Sequence, residues 1–325
     1  MKRWTHKTPL GKYYTANAQQ LLESEFAKKL HGKVNLILTS PPFPLNKKKS
    51  YGNFEGEKYK EWFISMAKTF SQLIAKNGSI VIEIGNAWVP GRPVQSLLHL
   101  ESLIGFVKNP KAKLRLCQQF ICYNPSRLPS PAQWVTVKRI RTTDSYTHVW
   151  WMAKTDFPKA DNRKVLRPYS RSMRKLLERR HYNTGKRPSE HKISEEGFLT
   201  DHGGSISPNL LEIEALERNQ EVRLPNVFRI SNTGSNDFFL RTCRERGVKP
   251  HPARMPMGLA GFFIKFLTKP GDLVLDPFAG SNTTGFVAEC LGRHWISIEI
   301  RETYAQQSMI RFEDPILTAK GGILS

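Results

Sequence analysis

The sequence predicts an α/β fold: a mixed sheet, largely parallel, with an antiparallel edge and a smaller, less regular module. Three observations predict it. Short apolar runs at 34–39 and 79–85 alternate with stretches of helical periodicity, the pattern of parallel strands joined by crossover helices. Strand patterns at 117–123, 134–140 and 148–153 then follow one another without helices between them, as an antiparallel edge requires. A strand, a glycine-containing turn, a helix and a second strand close the chain between 272 and 299.

Taken in order, residues 12–15 predict a short strand and 18–30 a helix. The run Val34-Asn35-Leu36-Ile37-Leu38 reads as a buried strand. Pro41 and Pro42 end it, because neither has an N–H to donate and both fix φ near −65°. Tyr59, Trp62, Phe63, Met66, Phe70, Leu73 and Ile74 recur at three and four residues, which predicts an amphipathic helix stopped by Asn77-Gly78. A strand over 79–85 and a helix over 97–107 follow. Between 157 and 249 Pro, Asn, Gly, Ser and basic residues dominate, with short helical patches at 173–180 and 210–217. The α/β pattern resumes with a helix carrying Leu259, Phe262, Phe263, Phe266 and Leu267, a strand over 272–276, a helix over 286–291 and a strand over 295–299. These shifts divide the chain at 1–156, 157–250 and 251–325.

Composition narrows the partners. Lys and Arg number 50 against 28 Asp and Glu, a net charge of +22 that points to a polyanion. The surplus is clustered. No acid occurs from Ser102 to Thr143, while Arg127, Lys138, Arg139 and Arg141 lie within that span. Eleven basic residues, Arg171 and Arg174 among them, face two acids between Lys159 and Arg187. A merely solvated surface would interleave both signs. Lys47, Lys48, Lys49, Ser50 and Tyr51 form a polar loop suited to gripping phosphate. The four cysteines show neither metal spacing nor a disulfide framework, so we expect reduced thiols, no metal and a cytoplasmic protein. Neither a signal peptide nor a membrane span is expected.

Two turns carry the chemistry. In Thr39-Ser40-Pro41-Pro42-Phe43, Ser40 offers a hydroxyl, Pro41 a carbonyl without a regular pairing partner, and Phe43 a flat apolar face. Together they suit a planar group bearing an amine. In Asp276-Pro277-Phe278-Ala279-Gly280-Ser281-Asn282-Thr283-Thr284, Gly280 lets the backbone approach a ligand, and Glu299 follows Asp276 by 23 positions, a spacing at which an acid reaches ribose hydroxyls. The absence of G-x-G-x-x-G and of a P-loop lysine disfavours dinucleotide and triphosphate. Both turns end strands, so a parallel sheet sets Ser40 and Asp276 on one edge.

With Ser-Pro-Pro-Phe first and Asp-Pro-Phe-x-Gly-Ser last, the chain resembles the β-class DNA amino-methyltransferases, in particular those that modify cytosine N4. The resemblance implies the S-adenosylmethionine-dependent methyltransferase fold, Rossmann-like, with permuted motif order. It implies a catalytic half at 1–156, a target-recognition region at 157–250 and a cofactor-binding half at 251–325. Ser40, Pro41, Pro42 and Phe43 would hold a cytosine flipped from duplex DNA. The cofactor would meet Asp276, Pro277, Phe278, Gly280, Ser281, Asn282, Thr283 and Glu299, with His251, Pro252 and Arg254 beside them. Asn17 stands where the family carries Asp near the first strand. Implied partners are double-stranded DNA at a short palindrome such as CAGCTG and, functionally, a restriction endonuclease in a prokaryotic cytoplasm. A monomer suffices for one flipped base. An adenine-N6 enzyme of the same fold is the nearest rival, and a DNA-binding protein without catalysis the other.

Overall fold

A computed structural model describes residues 4–43, 54–181, 185–186, 192–193, 197–212 and 237–314. Its centre is a nine-stranded sheet. In chain order the strands are β1 (His6–Lys7), β2 (Gly11–Thr15), β3 (Val34–Thr39), β4 (Ile74–Gly85), β5 (Arg115–Tyr123), β6 (Tyr146–Ala153), β7 (Leu210–Glu212), β8 (Leu273–Asp276) and β9 (His294–Glu299). Across the sheet they run β1-β2-β9-β8-β3-β4-β6-β5-β7. The five strands from β2 to β4 are mutually parallel, β1 and β6 run against them, and β5 and β7 run with them.

Strand alternation separates two apolar layers. In β3, Leu36 and Leu38 face the helix Met257–Leu267, while Val34 and Ile37 face the helices Gly56–Leu73 and Leu98–Lys108. In β4, Val81 joins the first layer and Ile80, Ile82 and Ile84 the second. Strands buried on both faces read as continuous apolar runs, which is why 34–39 and 79–85 were legible.

Four expectations need correction. The helix expected over 18–30 is two short ones, Ala18–Leu22 and Glu25–Lys28. Ser24 breaks it, its hydroxyl bonding the Leu21 carbonyl at 2.7 Å while accepting from the Phe26 N–H. The helix before β4 ends at Leu73, and Asn77-Gly78 lie inside β4 at an irregularity opposite Val34. There a Cβ on Gly78 would stand 2.8 Å from the Val34 carbonyl oxygen, so close backbone approach explains the glycine better than a helix stop. Residues 134–140 are not a strand: Gln133–Val137 form a π-helical turn, with Val137 and Ile140 exposed. Among the described residues no strand pairs with this β-branched stretch. Finally, Leu210–Glu212 extend the sheet beside β5 rather than opening a helix, and 213–217 fall outside the described residues.

Candidate active site

The parallel topology dictates where a ligand can sit. A cleft of about 520 Å³ opens along the carboxyl edge of the sheet. Its wall follows strand order: Asn17 after β2, Glu299 ending β9, Asp276 to Gly280 ending and following β8, Ser40 to Phe43 after β3, Glu83 near the end of β4, and Asn124 with Arg127 after β5. Strand termini in an open α/β sheet leave their last peptide groups unpaired, and the crevice beyond them collects functional side chains. Residues 237 positions apart in sequence meet here, for the Thr39 hydroxyl donates to Asp276 Oδ1 at 2.7 Å.

Asp276 is buried and also accepts the Phe278 N–H at 3.1 Å. Burial pushes its carboxyl up to about 6, although bonds from Thr284, Thr39 and Phe278 favour the ionised form. Glu299 is likewise raised by burial. Its Oε2 accepts the Gly280 N–H at 3.1 Å and its Oε1 the Arg301 N–H at 3.0 Å. The turn between these acids is tightly held. Gly280 has φ +49°, and a Cβ there would lie 3.2 Å from the His251 ring. The Tyr13 hydroxyl grips the Gly280 carbonyl at 2.6 Å.

Most of the residues singled out in the sequence converge here: Ser40, Pro41, Pro42, Phe43, Asn17, Asp276, Pro277, Phe278, Gly280, Thr283, Glu299, His251, Pro252 and Arg254 all line the cleft. Two do not line it. Asn282 Oδ1 accepts from the Ser297 hydroxyl at 2.6 Å, and Ser281 receives the buried Arg311 guanidinium, so both side chains secure the turn from behind. Asn17 caps a helix, its side chain accepting the Gln20 N–H. Among the basic candidates Arg127 lines the cleft, while Lys138, Arg139, Arg141, Arg171 and Arg174 are exposed outside it. Lys47, Lys48, Lys49, Ser50 and Tyr51 lie outside the described residues.

The structure adds residues that pattern reading missed. Glu83 is a buried carboxyl beside Ser40, accepting the Thr147 hydroxyl at 3.0 Å. Burial raises its affinity for a proton, opposed by hydrogen bonds from Thr147 and Ser40 and by the charge of Arg127. A lone acid within an apolar run, Ile82-Glu83-Ile84, was the available signal. Phe54, Tyr59 and Trp62 form an aromatic wall, with Trp62 edge-on to Phe278 at 5.7 Å between centroids.

Comparisons with known proteins agree with this geometry. The family described as DNA methylase matches residues 34–310. The chain is 42% identical over 315 residues to the type II methyltransferase M.PvuII of Proteus hauseri, spanning 96% of this chain and 87% of that protein. A local match of 63 residues at 46% identity covers 19% of the chain and 21% of the DNA adenine methyltransferase YhdJ of Escherichia coli strain K12. Among solved structures, the PvuII DNA methyltransferase (cytosine-N4-specific) superposes with a TM-score of 0.71 at 34% identity, covering 98% of this chain and 96% of that one. An M1.HpyAVI complex with S-adenosylmethionine shares the fold, at a TM-score of 0.52 and 19% identity over 93% and 99% of the two chains. The chain belongs to the DNA methylase family.

Proposed function

We propose that this protein is a site-specific DNA methyltransferase that modifies the exocyclic N4 amine of a flipped cytosine, using S-adenosylmethionine. The observation that carries it is the junction of the two turns, where Thr39 next to Ser40 bonds Asp276. A cavity of this size suits a cofactor and one base, since ligand pockets run to roughly 300–1,000 Å³. The residues fit the cofactor. Glu299 accepts backbone N–H groups of Gly280, Arg301 and Ile300 and, as an ionised carboxylate with about four lone-pair sites, still has acceptor capacity for ribose hydroxyls. Phe278 and Trp62 offer apolar surface to a ring. The Thr283 hydroxyl is buried without a hydrogen-bond partner among the described residues. Arg254 suits a carboxylate. The bound cofactor supplies an electrophilic methyl group on a positively charged sulfur.

The chain's own groups handle the amine. A cytosine amino nitrogen shares its lone pair with the ring, and two acceptors on its N–H groups favour a more pyramidal, more nucleophilic form. Ser40 has one donor and two lone pairs. A hydrogen bond from the Ser40 hydroxyl to Glu83 leaves the Oγ lone pairs to accept one amine N–H, and the Pro41 carbonyl takes the other. Phe43 stacks on the base; a Cβ on Gly85 would fall 2.7 Å from its ring, so glycine there lets the ring pack close against β4. Such positioning can be worth roughly 7–11 kcal/mol of barrier. Ser40, rather than an acidic or amide side chain, favours cytosine; the local match to an adenine enzyme supports adenine as the second reading. Transfer of a labelled methyl group to duplex DNA tests the activity itself.

Residues 1–156 and 251–325 serve as catalytic and cofactor halves, and 157–250 as the recognition region. The protein acts as a monomer in a prokaryotic cytoplasm, alongside a restriction endonuclease that cuts the same site. Among the described residues no helix is long and apolar enough to cross a membrane.

Two outcomes are expected. Ionised Asp276 holds three donors where the two turns meet, so cofactor affinity should be full above pH 7 and fall as pH drops through about 6. Calorimetric titration of S-adenosylmethionine from pH 5 to 8 checks this; Asp276→Asn should flatten the profile, and a flat wild-type profile would refute the role. DNA affinity should fall steeply with salt, and each alanine at Lys138, Arg139 or Arg141 that removes a phosphate contact should reduce the log–log slope by about 1. Unchanged slopes in all three variants would remove them from the interface.

A further inference from the structure

Antiparallel pairing of β5 and β6 sends residues 124–145 out as one excursion from the cleft edge. Cys122 pairs with Thr147 and Gly85 with Thr147 across β6, so the excursion leaves and returns near β4, which carries Glu83. Its base is closed by the Asn124 N–H on the Ser145 carbonyl at 2.8 Å. Arg127 lines the cleft, and its guanidinium bonds the Tyr146 carbonyl at 3.2 Å. The next residue, Leu128, is 82% exposed, and farther along Val137 is 74% and Ile140 50% exposed. Lys138, Arg139 and Arg141 interleave with them, and no acid appears before Asp144. Single exposed aliphatics are ordinary, but three on one excursion that carries no acid before Asp144 and is rooted at a cleft are not.

Resting on the proposed function, we infer that this excursion enters the duplex, with Leu128 as the aliphatic wedge that occupies the space vacated by the flipped cytosine. The partner is committed by charge: an excursion carrying exposed basic and aliphatic side chains matches phosphates flanking a base stack, and apolar wedges between base steps are an established means of unstacking. Position favours Leu128, because its neighbour Arg127 already forms part of the wall that would receive the base. Val137 and Ile140 support it from the same excursion.

The test follows the fluorescence of 2-aminopurine placed at the target position of one duplex and, in parallel, the methylation rate of the unsubstituted duplex, with wild type, Leu128→Ala and the Val137→Ala/Ile140→Ala double variant. Leu128→Ala should lower the flipping amplitude and the single-turnover rate by about tenfold, with cofactor affinity unchanged. On a duplex with an abasic site opposite the target, where flipping needs less help, the defect should shrink to about twofold. A general folding defect would persist on both duplexes. Wild-type flipping by Leu128→Ala on the paired duplex would overturn the wedge. So would sedimentation showing that the exposed aliphatics hold a dimer that the double variant dissociates. If wild type transfers no methyl group to DNA at all, the proposed function fails, which is a separate outcome.

Discussion

Ser40→Ala should lose on the order of 100-fold in single-turnover rate, the scale of removing one aligned polar contact at a transition state. Binding of S-adenosylmethionine and of duplex DNA should hold within about twofold, because basic phosphate contacts and the Asp276–Glu299 turn supply affinity and neither uses the Ser40 hydroxyl. The substitution is conservative for the fold. Ser40 lies just past β3, and the bond that ties this strand to the cofactor turn comes from Thr39. A second consequence follows from Glu83. The Ser40 hydroxyl is among the groups that hold its carboxyl ionised, so residual activity in the variant should fall off at higher pH than in wild type. Rapid-quench measurement across pH 5.5 to 8.5 reads both. An unchanged rate would remove Ser40 from the chemistry.

Glu299→Ala should weaken S-adenosylmethionine binding on the order of 10- to 100-fold, the range for losing hydrogen bonds to a charged group. Two effects add. The ribose hydroxyls lose their acceptor, and the Gly280 and Arg301 N–H groups lose theirs, freeing a turn whose φ of +49° needs outside support. Glu299→Gln, which can still accept one N–H, should fall between the two. Calorimetry at pH 7.5 is decisive, and a change under twofold for alanine would place the ribose elsewhere.

The sequence revealed the site where local chemistry and strand ends coincide. The Ser40 to Phe43 turn, the Asp276 turn and Glu299 are each abrupt departures from an apolar run, and a parallel sheet places such departures together. Glu83 escaped notice because it lies before its strand ends, where burial looked like the whole explanation. Ser281 and Asn282 shared the motif with true cleft residues, but the left-handed conformation at Asn282 turns the chain into its helix and leaves both side chains behind the turn. Residues 134–140 show the opposite failure. Their β-branched composition fits a strand, but a strand needs a partner, and the excursion leaves the sheet before any is within reach.

One measurement decides which base is modified. Duplex DNA methylated by the protein is digested to nucleosides and resolved by mass spectrometry against authentic standards. N4-methylcytosine is expected, formed on the order of 100-fold more slowly by Ser40→Ala. Methyl on adenine N6 alone would contradict it, and would mean that the grip formed by Ser40, Pro41 and Phe43 selects a purine amine.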